Sequence, residues 1–222
     1  MILRLVVQTF LLLLVMALVL LLAAGDPSWP AAWAFLLEIG VLGLAVGLWL
    51  AARDPALLAR RLASPWRAPT ARGDRRLMTG LAIGFFLWLA LMGLEIRLNL
   101  SETSTAAQGI GVLLIAAAIF VSWRAFAANS FAGTAVRIEP GQRLADTGPY
   151  ALVRHPLYGG AIAFFIGAPL MLGSWLGLLL APLFVFAIAA RALGEERLLR
   201  AELPGYEAYA ARVRRRFIPY LW

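Results

Sequence analysis

Apolar residues run along this chain in long, almost uninterrupted stretches parted by short polar breaks, and the breaks predict where the elements begin and end. Residues 5–24 have only Gln8 and Thr9 as polar members, and twenty such residues in a helix cross about 30 Å of hydrocarbon. A cleaved signal segment is the competing reading. Its apolar part is usually shorter, and Leu22 stands where a small residue would precede cleavage after Ala24, so a retained helix is predicted. The turn Gly25-Asp26-Pro27-Ser28-Trp29-Pro30 leads into a second span over 31–52 with Glu38 inside it. Carboxylates in lipid are costly and usually face an interior, and Glu38 reads as protonated or bonded to a neighbouring helix. Gly40, Gly43 and Gly47 read as close-packing positions.

Residues 53–76 form a polar connection holding seven arginines and broken by prolines at 55, 65 and 69. A third span covers 77–96, an uncharged-to-acidic turn 99–105, and a fourth span 106 to about 127. The segment 129–155 is polar and turn-rich around Glu139-Pro140-Gly141-Gln142. Residues 156–172 and 175–190 are apolar again, parted by Gly173-Ser174, and each carries an internal proline, Pro169 or Pro182. They read as two tilted or kinked spans, or as a hairpin among the others.

In the tail, Tyr206, Tyr209, Val213 and Phe217 share one helical face while Arg212, Arg214, Arg215 and Arg216 crowd the remainder, which predicts an amphipathic helix. It either lies apolar side down on the inner membrane surface or closes over a cytoplasmic pocket. The predicted fold is all-α: a polytopic membrane bundle of about six apolar segments, the last two a helical hairpin, and then a cytoplasmic amphipathic helix. Residues 1–143 supply four spans and their loops, and residues 144–222 the motif region, hairpin and tail, within one membrane domain.

Composition and charge change this picture in two ways. With 222 residues, 62% of them hydrophobic and 14% charged, the chain has more apolar residues than a soluble core of that size can hide. The net charge of +8 would point to nucleic acid in a soluble protein. Here the arginines fall between apolar runs, so lipid headgroups and topology account for them and no nucleic-acid partner is predicted. With the 53–76 loop cytoplasmic, Arg97 is the one loop or tail arginine on the far side; both termini are then cytoplasmic, in what the arginine-only composition suggests is a bacterial inner membrane.

Absences narrow the chemistry. No cysteine excludes disulfides, thiol nucleophiles and thiolate metal sites. All 20 basic residues are arginine, so no lysine is present for a Schiff base or a P-loop. One histidine cannot build a multi-histidine zinc site or a haem's axial pair, and no metal is predicted.

The remaining chemistry gathers between 148 and 196. It begins Gly148-Pro149-Tyr150 and Arg154-His155-Pro156-Leu157-Tyr158-Gly159-Gly160, continues through the apolar hairpin, and ends Arg191-Ala192-Leu193-Gly194-Glu195-Glu196. Pro156 suits the first position of a helix, which would hold Arg154 and His155 at the positive end of its dipole, where anions are favoured. Tyr150 and Tyr158 offer flat faces to an adenine or a cation, and Gly159-Gly160 lets a ligand approach the backbone. Glu195 and Glu196 invite an ammonium or a ribose diol. The plainer alternatives are a structural histidine, a surface ion pair between Arg191 and Glu195, and glycines that only serve packing.

In combination and in this order, these motifs, with the closing Tyr-x-x-Tyr and Arg-Phe-x-Pro, resemble the isoprenylcysteine carboxyl methyltransferase and phospholipid methyltransferase family of integral membrane enzymes, over residues 144–219. The resemblance implies S-adenosylmethionine as cofactor, bound on the cytoplasmic side by Tyr150, His155, Tyr158, Gly160, Glu195 and Glu196, with Arg154 beside them. It also implies an acceptor arriving laterally from the membrane lipid, lipophilic or small and apolar. Many members carry a histidine shortly before the position of Leu144; here Gln142-Arg143 stand there. Of the catalytic candidates, Arg191 would orient a carboxylate acceptor, and Glu195 would take the proton of an amine, thiol or phenol. Sterol reductases of related architecture, which bind a nicotinamide cofactor, are the second reading. A transporter would need more polar groups in its spans, and a non-catalytic scaffold has no reason to keep His155 and Glu195 together.

Overall fold

The computed structural model describes residues 1–63, 72–134 and 137–219; Pro65, Arg67 and Pro69 of the arginine-rich loop lie outside them. The described residues form helices α1 (Ile2–Ala24), α2 (Pro30–Arg53), α3 (Pro55–Leu62), α4 (Arg72–Arg97), α5 (Thr105–Ala128), α6 (Pro156–Leu172), α7 (Trp175–Glu202) and α8 (Tyr206–Arg212), with a 3-10 turn at Gly148–Ala151 and no strand. Five of these, α1, α2, α4, α5 and α7, are long and apolar enough to cross a membrane, and α6 is a shorter apolar helix of 17 residues.

Sequence signals place most boundaries. Gly25 and Gly173 end α1 and α6 in the left-handed conformation at φ 66° and 84°, which glycine adopts at little cost. Pro30 and Pro156 open α2 and α6, and the Ser104 and Ser174 side chains cap α5 and α7. Three elements depart from the expectation. The 53–76 connection contains α3, a helix capped by Asp54 Oδ1 accepting from Leu57 N at 2.9 Å; it buries Leu57 and Leu58 beneath the bundle. Helix α7 runs on past 190 to Glu202, giving it about 42 Å at 1.5 Å per residue. The tail helix stops at Arg212, short of Val213 and Phe217, and these two with Tyr206 and Tyr209 are buried in the protein instead of forming one exposed helical face.

The closest packing is between α5 and α6, where small residues let the backbones meet. A Cβ on Gly167 would lie 2.9 Å from Gly111 O, and one on Gly160 3.0 Å from Ala118 O. Lipid gives helices no hydrophobic reason to associate, so such close contact supplies the dispersion that holds them. In the second span Gly40 and Gly47 meet Leu13 and Leu5 of α1, as expected, but Gly43 has nothing within 4 Å of its Cβ position. Around these contacts Leu20, Phe35, Leu89, Met92, Ile115 and Leu172 are fully buried.

The bundle has two unlike ends. At one, Glu95 of α4 accepts from the Ser101 and Ser174 hydroxyls and from Leu176 N at 3.0 Å, tying α4 to the start of α7. At the other, Arg4 Nη2 donates to Leu62 O at 2.6 Å, which brings the start of α1 to the arginine-rich connection. Glu38 Oε2 is buried with no hydrogen-bond partner among the described residues.

Candidate active site

The arginine-rich end holds a cavity of about 680 Å³. Three elements bring its motif residues together. Pro149 places Tyr150 in the 3-10 turn; Pro156 starts α6 with His155 as its cap and Tyr158 in its first turn. The extension of α7 carries Arg191 and Glu195 to the same place. Tyr150, Arg154, His155, Tyr158, Arg191 and Glu195 all line the cavity.

Tyr158 is the junction. Its Oη donates to Glu195 Oε2 at 2.8 Å and accepts from Arg191 Nη1 at 2.7 Å. Arg191 and Glu195, four residues apart, therefore meet through a phenol and not as a direct surface pair. Arg191 is further held by Asp74 of α4, Nε to Oδ1 at 2.8 Å, and by Thr134 O, which accepts from Nη2 at 2.8 Å. Among the described residues each guanidinium nitrogen donates once, which leaves spare N–H on both Nη atoms.

Behind this wall lies an ionic knot. Arg154, His155 and Glu196 are 7%, 5% and 4% exposed. Glu196 Oε1 accepts from Arg154 Nε at 2.8 Å and Arg216 Nε at 3.2 Å, and His155 Nε2 lies 3.2 Å away. A carboxylate buried this deeply is tolerable because cations surround it. Arg154 Nη1 also donates to Val213 O at 2.8 Å, and the Arg154 and His155 amides donate to Arg215 O and Arg216 O at 2.9 and 2.8 Å. The segment 213–217 thus lies across the start of α6, with Phe217 ringed against His155 and Tyr158. Its carbonyls occupy part of the helix end that the sequence assigns to an anion.

Two predicted cofactor residues stand off the cavity wall. Gly160 faces Ala118 and Ser122 of α5, where the chain needs close helix contact, and Glu196 sits in the knot. Residues not singled out as site candidates complete the wall. Asn129 Nδ2 donates to Tyr150 Oη at 3.3 Å, and Tyr209 Oη donates to Tyr150 O at 2.8 Å. Burial pushes the Tyr150 phenol up to about 12, so it stays neutral. Tyr206 lines the cavity too, and its Oη is buried without a hydrogen-bond partner among the described residues. Asp74 had one signal in the sequence, a lone acid among arginines; Asn129 and Thr134 had none.

Fold and site together define a membrane-embedded helical protein with a cavity at one end where three motif segments meet. Residues 107–203 match the family model described as phospholipid methyltransferase, and they contain the Arg-His-Pro-x-Tyr-x-Gly and Arg-x-x-x-Glu-Glu segments; over this stretch the chain is similar to that membrane methyltransferase family. No curated protein matches the chain.

Proposed function

We propose that the protein transfers a methyl group from S-adenosylmethionine to a lipophilic acceptor in the cavity at its arginine-rich, cytoplasmic end. The observation that carries this reading is Tyr158, bonded at once to Arg191 and Glu195 on the wall of a cavity that residues of the apolar helices also line. The residues present suit the cofactor. At about 680 Å³ the cavity falls within the range of small-molecule sites, about 300–1,000 Å³. Glu195 offers a carboxylate to an ammonium or a diol, Tyr150 an aromatic face, and the Tyr206 hydroxyl a buried polar atom with no partner among the described residues.

When bound, the cofactor supplies a methyl group already made electrophilic by its sulfonium. The chain then has to bring donor and acceptor into line at about 3 to 3.5 Å and keep water away, and alignment of that kind supplies several kcal/mol. Arg191, fixed by Asp74 and Thr134, orients the acceptor with its spare N–H. Glu195 takes a proton where the acceptor is an amine, thiol or phenol, with the Tyr158 hydroxyl holding its carboxylate in place. Glu196 acts through Arg154 and His155 and touches no ligand. An apolar groove of about 590 Å³ between α4 and α7 shares Leu81 with the cavity, and its apolar lining supports lateral entry of an acceptor on that side.

Binding of labelled S-adenosylmethionine, against NADPH, to the purified protein in detergent tests the reading. Saturable binding of the first is expected. Binding of NADPH alone would replace it with the reductase reading.

A further inference from the structure

Arg61, at the end of α3 and outside every motif segment, lines the cavity. Its Nη1 donates to Ala132 O at 3.0 Å and its guanidinium lies 4.2 Å from the centre of the Phe126 ring. These contacts fix the group in place but leave its charge unanswered: no carboxylate pairs with Arg61 among the described residues. Arg137, which also lines the cavity, is already paired with Glu139, and Arg143 is exposed at the rim. Burial pulls Arg61 down to about 10, with the Tyr150 phenol as the ionisable neighbour it senses; at neutral pH it is therefore a cation in a partly buried place. Such a charge is costly unless an anion meets it. The wall beside it, Leu50, Leu58, Gly47 and Leu5, is apolar, and Gly43 leaves open space in it.

We propose that Arg61 is the headgroup-recognition residue of the acceptor site: it binds the phosphate or carboxylate of an anionic amphiphile whose apolar chain lies against α1, α2 and the Leu58 side of α3. That the amphiphile is the acceptor rests on the methyl-transfer reading; the anion site itself does not. Charge complementarity favours this occupant over a neutral isoprenoid or a free amine, either of which would leave Arg61 unpaired.

The test is equilibrium binding of dodecyl phosphate, dodecanoate and dodecanol to the full-length protein in a neutral detergent, without cofactor, alongside S-adenosylmethionine binding to the same preparations. Wild type is expected to bind at least one of the anions about tenfold or more tighter than dodecanol, as a charge-assisted contact implies; the ratio between the two anions tells phosphate from carboxylate. Arg61→Gln should lose the preference, Arg61→Lys should keep part of it, and Arg97→Gln, at the far end of the bundle, should keep all of it. Absence of a preference in wild type, or its persistence in Arg61→Gln, overturns the proposal. So does an Arg61→Gln protein that loses S-adenosylmethionine affinity while binding the alkyl anions normally, which would assign Arg61 to the cofactor's carboxylate. Should Arg61→Gln fail to fold, the wild-type ratio and that of Arg61→Lys decide. An Arg61-dependent preference in a protein that binds no S-adenosylmethionine would retain the anion site and remove the methyltransferase reading.

Discussion

Tyr158 is where the chemistry of this site depends on one oxygen atom. Its hydroxyl holds Glu195 and is itself held by Arg191, so Tyr158→Phe removes both bonds while keeping the ring against His155 and Phe217. Turnover is expected to fall about 10- to 100-fold with S-adenosylmethionine affinity nearly unchanged, a split that comparison of single-turnover rates with equilibrium binding would reveal. Asp74 acts one step further out. Asp74→Ala deprives the partly buried Arg191 of its counter-ion and should cost about 3 kcal/mol of stability, seen as a lower melting temperature in detergent, with turnover reduced because Arg191 no longer fixes Tyr158. Glu196 should behave differently from Glu195. In Glu196→Gln, Arg154 keeps a hydrogen-bond acceptor but loses its buried counter-charge, so stability and cofactor binding should fall together. An unchanged melting curve with a selective binding defect would instead make Glu196 a direct ligand.

At the scale of elements, α5 and α6 form the frame on which the site is mounted, since α6 carries Tyr158, is capped by His155 and is shorter than the five long apolar helices. Gly111 and Gly167 are the points of contact. A Cβ on Gly111 would meet Gly167 O at 2.6 Å and Met171 Cα at 2.8 Å, both backbone atoms that cannot rotate away, whereas one on Gly43 would meet nothing. Gly111→Ala is accordingly expected to lower the melting temperature by several degrees, an overpacking cost of about 1–3 kcal/mol. Gly43→Ala should leave it unchanged. A thermal melt of the two variants side by side checks the pair, and equal effects would show that close contact does not hold α6. The ends of α1, α2 and α6 were legible because glycine or proline punctuates them at a change from apolar to polar sequence. Helix α7 was legible only to 190: beyond it the residues turn polar although the backbone goes on coiling, so hydropathy stops where the membrane stops and the helix does not. The short α3 was hidden because eight residues carry no period against a background of arginine. The same limit applies to the site. His155, Tyr158 and Glu195 could be read from local motifs, but Asp74 and Arg191 are 117 positions apart, and only the fold brings them together.

For the whole molecule, the arrangement of arginines becomes a statement about which way the protein faces. The contact of Arg4 with Leu62 O, the pairing of Arg191 with Asp74, and the return of residues 213–217 to Arg154 and His155 gather the start of α1, the 53–76 connection and the C-terminal segment at one end. At the opposite end stand the 25–30 turn, the 98–104 loop with its acidic Glu102, and Arg97 as the sole arginine. By the tendency of short loops to retain arginine on the cytoplasmic side, a bias this strong supports the orientation we propose, in which the proposed nucleoside cofactor would reach the cavity from the cytoplasm. A reporter fused to the C-terminus should therefore read cytoplasmic and one inserted near Ser101 external. The same experiment can be made to depend on the cause: replacing Arg72, Arg75 and Arg76 by glutamine while adding arginines beside Ser101 should weaken or reverse the orientation without altering the helices, and the cavity would then face away from the cytoplasm. Reporters that find the two positions on the same side would remove a helix from the span count. Reporters that find them exchanged would place the cavity, and any methyl donor it binds, outside the cytoplasm.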